Sequence, residues 1–327
     1  MSVSSAAFVE NTLAFDLVHV TEAAALASAR WVGRGCKNDA DSAAVEAMRV
    51  AFDKIAIDGV VVIGEGEMDE APMLYIGEKV GSGGVAMDIA VDPLEGTTLC
   101  AKAMPNAITV VALAERGKLL HAPDIYMDKI IVGAGLPEGV VDLDTSIENN
   151  LKNLARAKGK SEQDLVLCTL ERERHQDLIA RARAVGARVQ LLTDGDVAGG
   201  IAACLTTTGV DIYVGSGGAP EGVLTAVAIR CLGGQMQGRL LFEDDQQRQR
   251  AMAMNAHQDP SRKLGLYDMA AGAVLFSATG VTSGTLLRGV RYLSHAPHRA
   301  ITHSLVMSSQ SETIRFIETH HSIENNF

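Results

Sequence analysis

The hexapeptide Asp92-Pro93-Leu94-Glu95-Gly96-Thr97 places two carboxylates three residues apart, directly after the expected strand Met87–Val91. Two acids held that close repel, and one takes up a proton unless cations are present. Hard divalent ions with oxygen ligands are their natural partners. Gly96 lets backbone come close to a ligand, and the amides of Gly96 and Thr97 can then hold a phosphate oxygen. Further acidic clusters recur at expected strand or loop ends: Asp39/Asp41, Glu65/Glu67/Asp69/Glu70 and Asp194/Asp196, with Glu221 opening a helix after a glycine-rich loop. Each alone has a structural explanation: Asp41 as a helix N-terminal charge, Glu95 as a solvated turn residue, Glu221 as a dipole complement. In combination they point to a ligand site, because open α/β sheets bind ligands at the carboxyl ends of their strands.

The elements that must position these residues follow from periodicity. Residues 1–12 are small and polar and are expected to fray. Leu13, Leu17, Val20, Ala24 and Ala27 predict a helix over 13–32, and Ala44, Met48 and Phe52 a second from about Asp39 to Asp53. Gly59–Ile63 is a short buried strand ending at Gly64-Glu65-Gly66-Glu67, and 71–80 is expected to return as a helix. Met87–Val91 is the next strand, with a turn forced at Pro93. Strands are expected at 107–114, 118–122 and 128–133, and the helical stretch 145–159 is read as a connection to a second lobe. There, strands 165–170, 188–192 and 210–214 alternate with helices 174–186, 196–207 and 221–232, which predicts a parallel sheet. Strands near 272–279, 286–293, 301–308 and 312–318 are expected to be antiparallel. The expected division, approximate and within one functional unit, is 1–160, which carries the acidic motifs at Asp41, Glu65 and Asp92–Thr97, and 161–327.

A chain of 327 residues suffices for two lobes with real cores. Its net charge of −11 argues against a nucleic-acid partner, since phosphate backbones reward clustered Lys and Arg. No apolar run of 18 residues occurs, so no membrane partner is expected. Five scattered cysteines without a CxxC pair fit a reducing cytoplasm.

The motif DPLEGT matches the D-P-x-[DE]-G-[ST] signature of the lithium-sensitive, metal-dependent phosphatase superfamily. Longer stretches narrow the resemblance: IGEGEMDEAPMLYIGEKVG (Ile63–Gly81), DIAVDPLEGTT (Asp88–Thr98), APDIYM (Ala122–Met127), DGDV (Asp194–Val197), GGAPEGVL (Gly217–Leu224) and SSQSETIRFIETHH (Ser308–His321). Over nearly the whole chain the sequence resembles class II fructose-1,6-bisphosphatases. The resemblance implies an α/β, layered αβαβα sugar-phosphatase fold of two packed lobes and dependence on Mg²⁺ or Mn²⁺. It implies hydrolysis of the 1-phosphate of fructose 1,6-bisphosphate, with a dual enzyme that also takes sedoheptulose 1,7-bisphosphate as the alternative and a silent phosphate-binding regulator as the reading from another class. It assigns metal ligands at Asp41, Glu65, Asp92, Glu95 and Glu221. It assigns substrate contacts to Glu95, Gly96, Thr97, Tyr126, Arg172, Glu173, Arg174, Asp194, Gly195, Asp196 and Gly218, and catalysis to Thr97, Glu65, Asp92 and Glu95. Beside a sugar bisphosphate, the expected partners are further copies of the chain, as a dimer or tetramer.

Physical reasoning agrees with these roles. Thr97 can hydrogen-bond an attacking water and hand a proton to a nearby carboxylate, while Arg172 and Arg174 supply charge for a second phosphate. Three departures stand out. Cys36 takes the place of an acid, Glu173 that of a proline between the two arginines, and the 82–86 loop is short. Cys36 is read as a spacer. His295, His298, His303, His320 and His321 have no standard zinc spacing and are read as structural.

Overall fold

The apolar stripe beginning at Leu13 builds α1 (Ser5–Ala29), and the alternation of Ala44, Met48 and Phe52 builds α2 (Lys37–Phe52). The chain continues as β1 (Ile57–Ile63), β2 (Lys79–Val80), β3 (Val85–Glu95), α3 (Thr97–Ala101), β4 (Ile108–Glu115), β5 (Tyr126–Val132) and α4 (Ile147–Lys158). Next come β6 (Val166–Leu170), α5 (Gln176–Val185), β7 (Arg188–Leu192), α6 (Asp196–Ala202), β8 (Ile212–Gly218) and α7 (Ala219–Leu232). β9 (Gln235–Leu241), α8 (Asp245–Met254), β10 (Leu264–Gly265), α9 (Leu266–Met269), β11 (Val274–Gly280), β12 (Arg291–Tyr292), β13 (Arg299–Ser308) and β14 (Thr313–Ser322) complete it. This computed structural model describes residues 5–66, 71–254, 259, 261–293 and 298–323.

The architecture is mixed α/β with two sheets, one in each of two units. The first unit is Met1–Gly117 with Gly272–Phe327, the second Lys118–Ala271. The division therefore does not fall at 160. β11 pairs antiparallel with β4 along its whole length, which returns the C-terminal strands to the first sheet. β5 pairs with β8 and β9, which ties residues after 118 into the second.

In the first unit the strand order is β12-β13-β11-β4-β3-β1-β2, with β14 on β13. Among the described residues only β1 and β3 are parallel neighbours; the remaining pairs are antiparallel, as expected for the C-terminal strands. α1 and α2 cover one face, closing a core of Leu17, Val20, Met48, Phe52, Ile89, Val111 and Val306. Of the segment expected to fray, residues from Ser5 onward belong to α1, and 1–4 lie outside the described residues. The expected helix 71–80 is not formed: its described part is a turn-rich loop closed by β2, held by Glu78, whose carboxylate accepts from Leu74 N and Arg49. Pro93 does not end its strand. β3 runs on to Glu95 because a bulge lies between Asp92 and Glu95 against β4, and pairing with β1 has already ended at Ala90. A proline lacking a ladder donor is tolerated there. Residues 286–293 hold only the two-residue β12.

In the second unit the order is β10-β9-β5-β8-β6-β7. β6 is parallel to β7 and β8, but β5, β9 and β10 join antiparallel, so the expected parallel sheet is mixed. The segment 118–122 contributes one bridge, Leu119 to Ala270, and no strand. α4 is no linker: Ile147, Leu151 and Leu154 are buried in a core with Ile130, Leu165, Leu167 and Ile212.

Candidate active site

In the first unit, β1 and β3 run parallel side by side, with Ile63 paired to Ala90. Glu65 and Asp92 each lie two residues beyond that pair; Glu65 has left the sheet, whereas Asp92 stays in β3, paired with Val110 of β4. Glu65 sits on the turn after β1, where its N–H donates to Leu74 O at 3.0 Å. Gly64 makes this turn possible, since a Cβ there would stand 1.9 Å from Leu74 O. Asp41, near the start of α2, faces Glu65. Burial first, and then the charge of Asp41, push Glu65 up to about 7, and burial raises Asp41 as well. Asp92 Oδ1 accepts from Leu94 N at 3.1 Å, which shapes the bulge, and Glu95 is buried at 4% exposure. Gly96 has φ +86°, a left-handed conformation that glycine adopts without strain, and it turns the chain into α3 at Thr97.

In the second unit the expected residues collect at the carboxyl ends of β6, β7 and β8 and at Tyr126, which pairs with Gly218. Arg172 donates to Thr193 O at 2.6 Å and lies 3.4 Å from Asp194. Arg174 donates to Ser216 O at 2.8 Å and to Ser216 Oγ at 3.0 Å, and its guanidinium lies 4.7 Å from the centre of the Tyr126 ring. Glu173 is exposed at the head of a 3₁₀ turn, Glu173–His175. Gly195 caps α6, and Asp196, at its first residue, is buried. Gly218 leads into α7, where a Cβ would meet Glu221 Oε2 at 1.9 Å. Burial, then the charge of Asp196, raise Glu221 to about 7 against the opposing pull of Lys129; Asp124 adds a smaller push upward.

Sequence reasoning passed over three residues here. Lys129 is 1% exposed, with Nζ 2.5 Å from Asp196 Oδ2 and 2.7 Å from Gly218 O. Its signal was available: in β5 it shares a face with Met127 and Ile131, an inward position where only a paired charge is tolerated. His175 and Ser216, which support Arg174, carry no pattern in the sequence.

Glu67, Asp69 and Glu70 lie outside the described residues, as does His295. Of the other histidines, His303 stacks on Phe316, His320 meets Glu318, His321 bonds Thr302, and His298 O accepts from Ile323 N. Cys36 is exposed and stands at the N-cap of α2, its Sγ 3.6 Å from Arg34 O. Among the described residues no three His, Cys, Asp or Glu side chains already converge as a metal-holding group, and no helix is long and apolar enough to cross a membrane. The oxygen-only donors, the burial that raises Glu65 and Asp41, and the charge of Asp41 that adds to it at Glu65 nevertheless fit a hard cation, which would offset the cost of holding these groups ionised.

Residues 11–321 match the family described as bacterial fructose-1,6-bisphosphatase, glpX-encoded. The chain is 46% identical over 327 residues to fructose-1,6-bisphosphatase 1 class 2 of Escherichia coli (strain K12), covering 95% of this chain and 96% of that protein. The same figures hold for fructose-1,6-bisphosphatase class 2 of Shigella flexneri. Among solved structures, an inositol monophosphatase from Anabaena (Nostoc) sp. PCC 7120 is similar at TM-score 0.32 and 14% identity, over 59% of this chain and 70% of that one; so distant a likeness carries no argument.

Proposed function

This chain belongs to the bacterial class II fructose-1,6-bisphosphatases, and from that premise we propose the reaction and the roles of its residues. It is a phosphoric monoester hydrolase that converts fructose 1,6-bisphosphate to fructose 6-phosphate and phosphate, a step of gluconeogenesis. The observation that carries this reading is 46% identity across 95% of the chain to an enzyme of that name.

In the first unit Asp41, Glu65, Asp92 and Glu95 are the carboxylates that would hold Mg²⁺ or Mn²⁺; in the second, Glu221 is the residue assigned as a metal ligand. Such a cation, when bound, draws charge from the phosphoryl oxygens and lowers the pKa of water. The protein groups do the rest. The amides of Gly96 and Thr97 hold the reacting phosphate, and the Thr97 hydroxyl orients the attacking water and passes a proton to a nearby carboxylate. Arg172, Arg174 and Tyr126 take the phosphate that is not hydrolysed, with Asp194, Gly195, Asp196 and Gly218 shaping the sugar's surroundings. A carboxylate repels phosphate, so Glu173 contributes through its backbone. The five free thiols support a reducing cytoplasm. Assembly as a dimer or tetramer belongs to the same reading and is read out by light scattering.

The test is phosphate release from a panel: fructose 1,6-bisphosphate, sedoheptulose 1,7-bisphosphate, fructose 6-phosphate and inositol 1-phosphate, with Mg²⁺ or Mn²⁺ or with EDTA. Release from the first substrate, dependent on metal, is expected. Turnover undiminished in EDTA by protein free of metal, or preference for inositol 1-phosphate, would overturn the assignment.

A further inference from the structure

The Arg174 guanidinium is held by one residue, Ser216, and Ser216 is held by another, His175. Pairing between β6 and β8 ends at Cys168 and Tyr213, so the N–H of Ser216 has no strand partner on that side. His175 supplies one: Ser216 N donates to His175 Nε2 at 2.9 Å. Because Nε2 accepts, the proton of the neutral ring is on Nδ1, which donates to Leu170 O at 2.8 Å. The ring is 3% exposed and lies against Gly215, where a Cβ would stand 3.1 Å from Cε1 and 3.2 Å from Nε2. Thr169 Oγ1 approaches Nδ1 at 3.4 Å. Burial lowers the ring's pKa, in keeping with a neutral acceptor. Ser216, fixed in this way, presents its carbonyl and hydroxyl to Arg174, which lies over Tyr126.

We propose that His175 is a positioning residue for substrate: by bonding Ser216 it fixes Arg174 against Tyr126 and so sets the geometry of the site for the phosphate that is not hydrolysed. The proposal rests on the reading of Arg174 as that phosphate's partner. A guanidinium on a flexible stem loses rotamer freedom when it grips an anion, and a preset orientation removes part of that loss. Gln at 175 can keep an acceptor near the place of Nε2 while giving up the bond to Leu170. Asn keeps a donor near Nδ1 and gives up the bond to Ser216.

The experiment measures binding of fructose 6-phosphate to the full chain by calorimetry, in EDTA, so that it does not depend on metal or turnover. Circular dichroism and Tm establish that each variant is folded. His175→Asn and Arg174→Ala should each weaken binding about tenfold. The double variant should bind no more weakly than Arg174→Ala alone, since the histidine acts through the arginine. His175→Gln should recover binding to within about threefold. A merely structural role predicts that Asn and Gln follow their Tm values alike. A folded His175→Asn that binds as the parent does, beside a weakened Arg174→Ala, overturns the proposal. Parent-like binding by Arg174→Ala overturns the reading beneath it and the proposal together. Should His175→Asn not fold, His175→Leu, which fills the ring's place without an acceptor, is used instead: weaker binding supports the relay, and parent-like binding overturns it.

Discussion

At the scale of single residues, the site is a set of carboxylates placed where none would choose to be charged alone. Replacing Asp92 by Asn or Glu95 by Gln should lower kcat by several orders of magnitude, roughly 10³-fold or more, because a lost ligand removes both charge stabilisation and water activation. The fold should persist, since neutralising one crowded acid relieves repulsion. Steady-state kinetics beside circular dichroism checks both halves, and a near-parental kcat would place the metal elsewhere. Glu65 gives a second, metal-free readout. Its folded pKa is raised from 4.5 to about 7, chiefly by burial. The native state therefore keeps a proton that the unfolded chain has released, and stability contributed by this group is lost as pH rises from 4.5 to 7. In EDTA, Glu65→Gln should gain on the parent by about 1–3 kcal/mol between pH 5 and pH 8. Urea titrations at the two pH values measure it; a constant difference would show that Glu65 does not titrate in that window.

Among the elements, β5 and α6 illustrate how secondary structure and charge are matched. Lys129 lies inside β5 facing Asp196 at the start of α6 and the last carbonyl of β8. A buried pair of this kind adds little net stability, but removing one member strands the other charge. Lys129→Met should thus destabilise by about 3–5 kcal/mol, and the double variant Lys129→Met with Asp196→Leu should recover most of that. Equal losses in single and double variants, measured by chemical denaturation, would mean that the pair is not coupled.

For the whole molecule, the question is why a bisphosphate should be preferred to a monophosphate. Each charge-assisted bond to the second phosphate contributes about 1.5–3 kcal/mol. Two of them, from Arg172 and Arg174, predict a preference on the order of 10²–10⁴ in kcat/KM if that binding is realised at the transition state. The double alanine variant should lose this factor on fructose 1,6-bisphosphate and much less on a small phosphomonoester. Equal losses on both substrates would show that the arginines support the fold or the metal carboxylates instead.

What the sequence determined by itself was local or patterned. The motif at Asp92–Thr97 and the long matching stretches identify the family, because chemistry fixes residue types at fixed spacing. Apolar periodicity placed α1, α2, β1 and the alternating elements from β6 to α7, because burial of one face imposes a period. Tertiary structure decided what depends on partners far along the chain. Pro93 stays in β3 because β1 has already ended and a bulge absorbs the missing donor. The parallel rhythm after 165 became a mixed sheet because β5 and β9, distant in sequence, complete it antiparallel. The boundary moved from 160 because β5 pairs with β8 and β9, and the C-terminal strands return to the first unit because β11 pairs with β4 and carries β13 and β14 with it. His175 and Ser216 were invisible for the same reason: a hydrogen bond spanning 41 residues leaves no period and no motif, and exists only once β6 and β8 lie side by side.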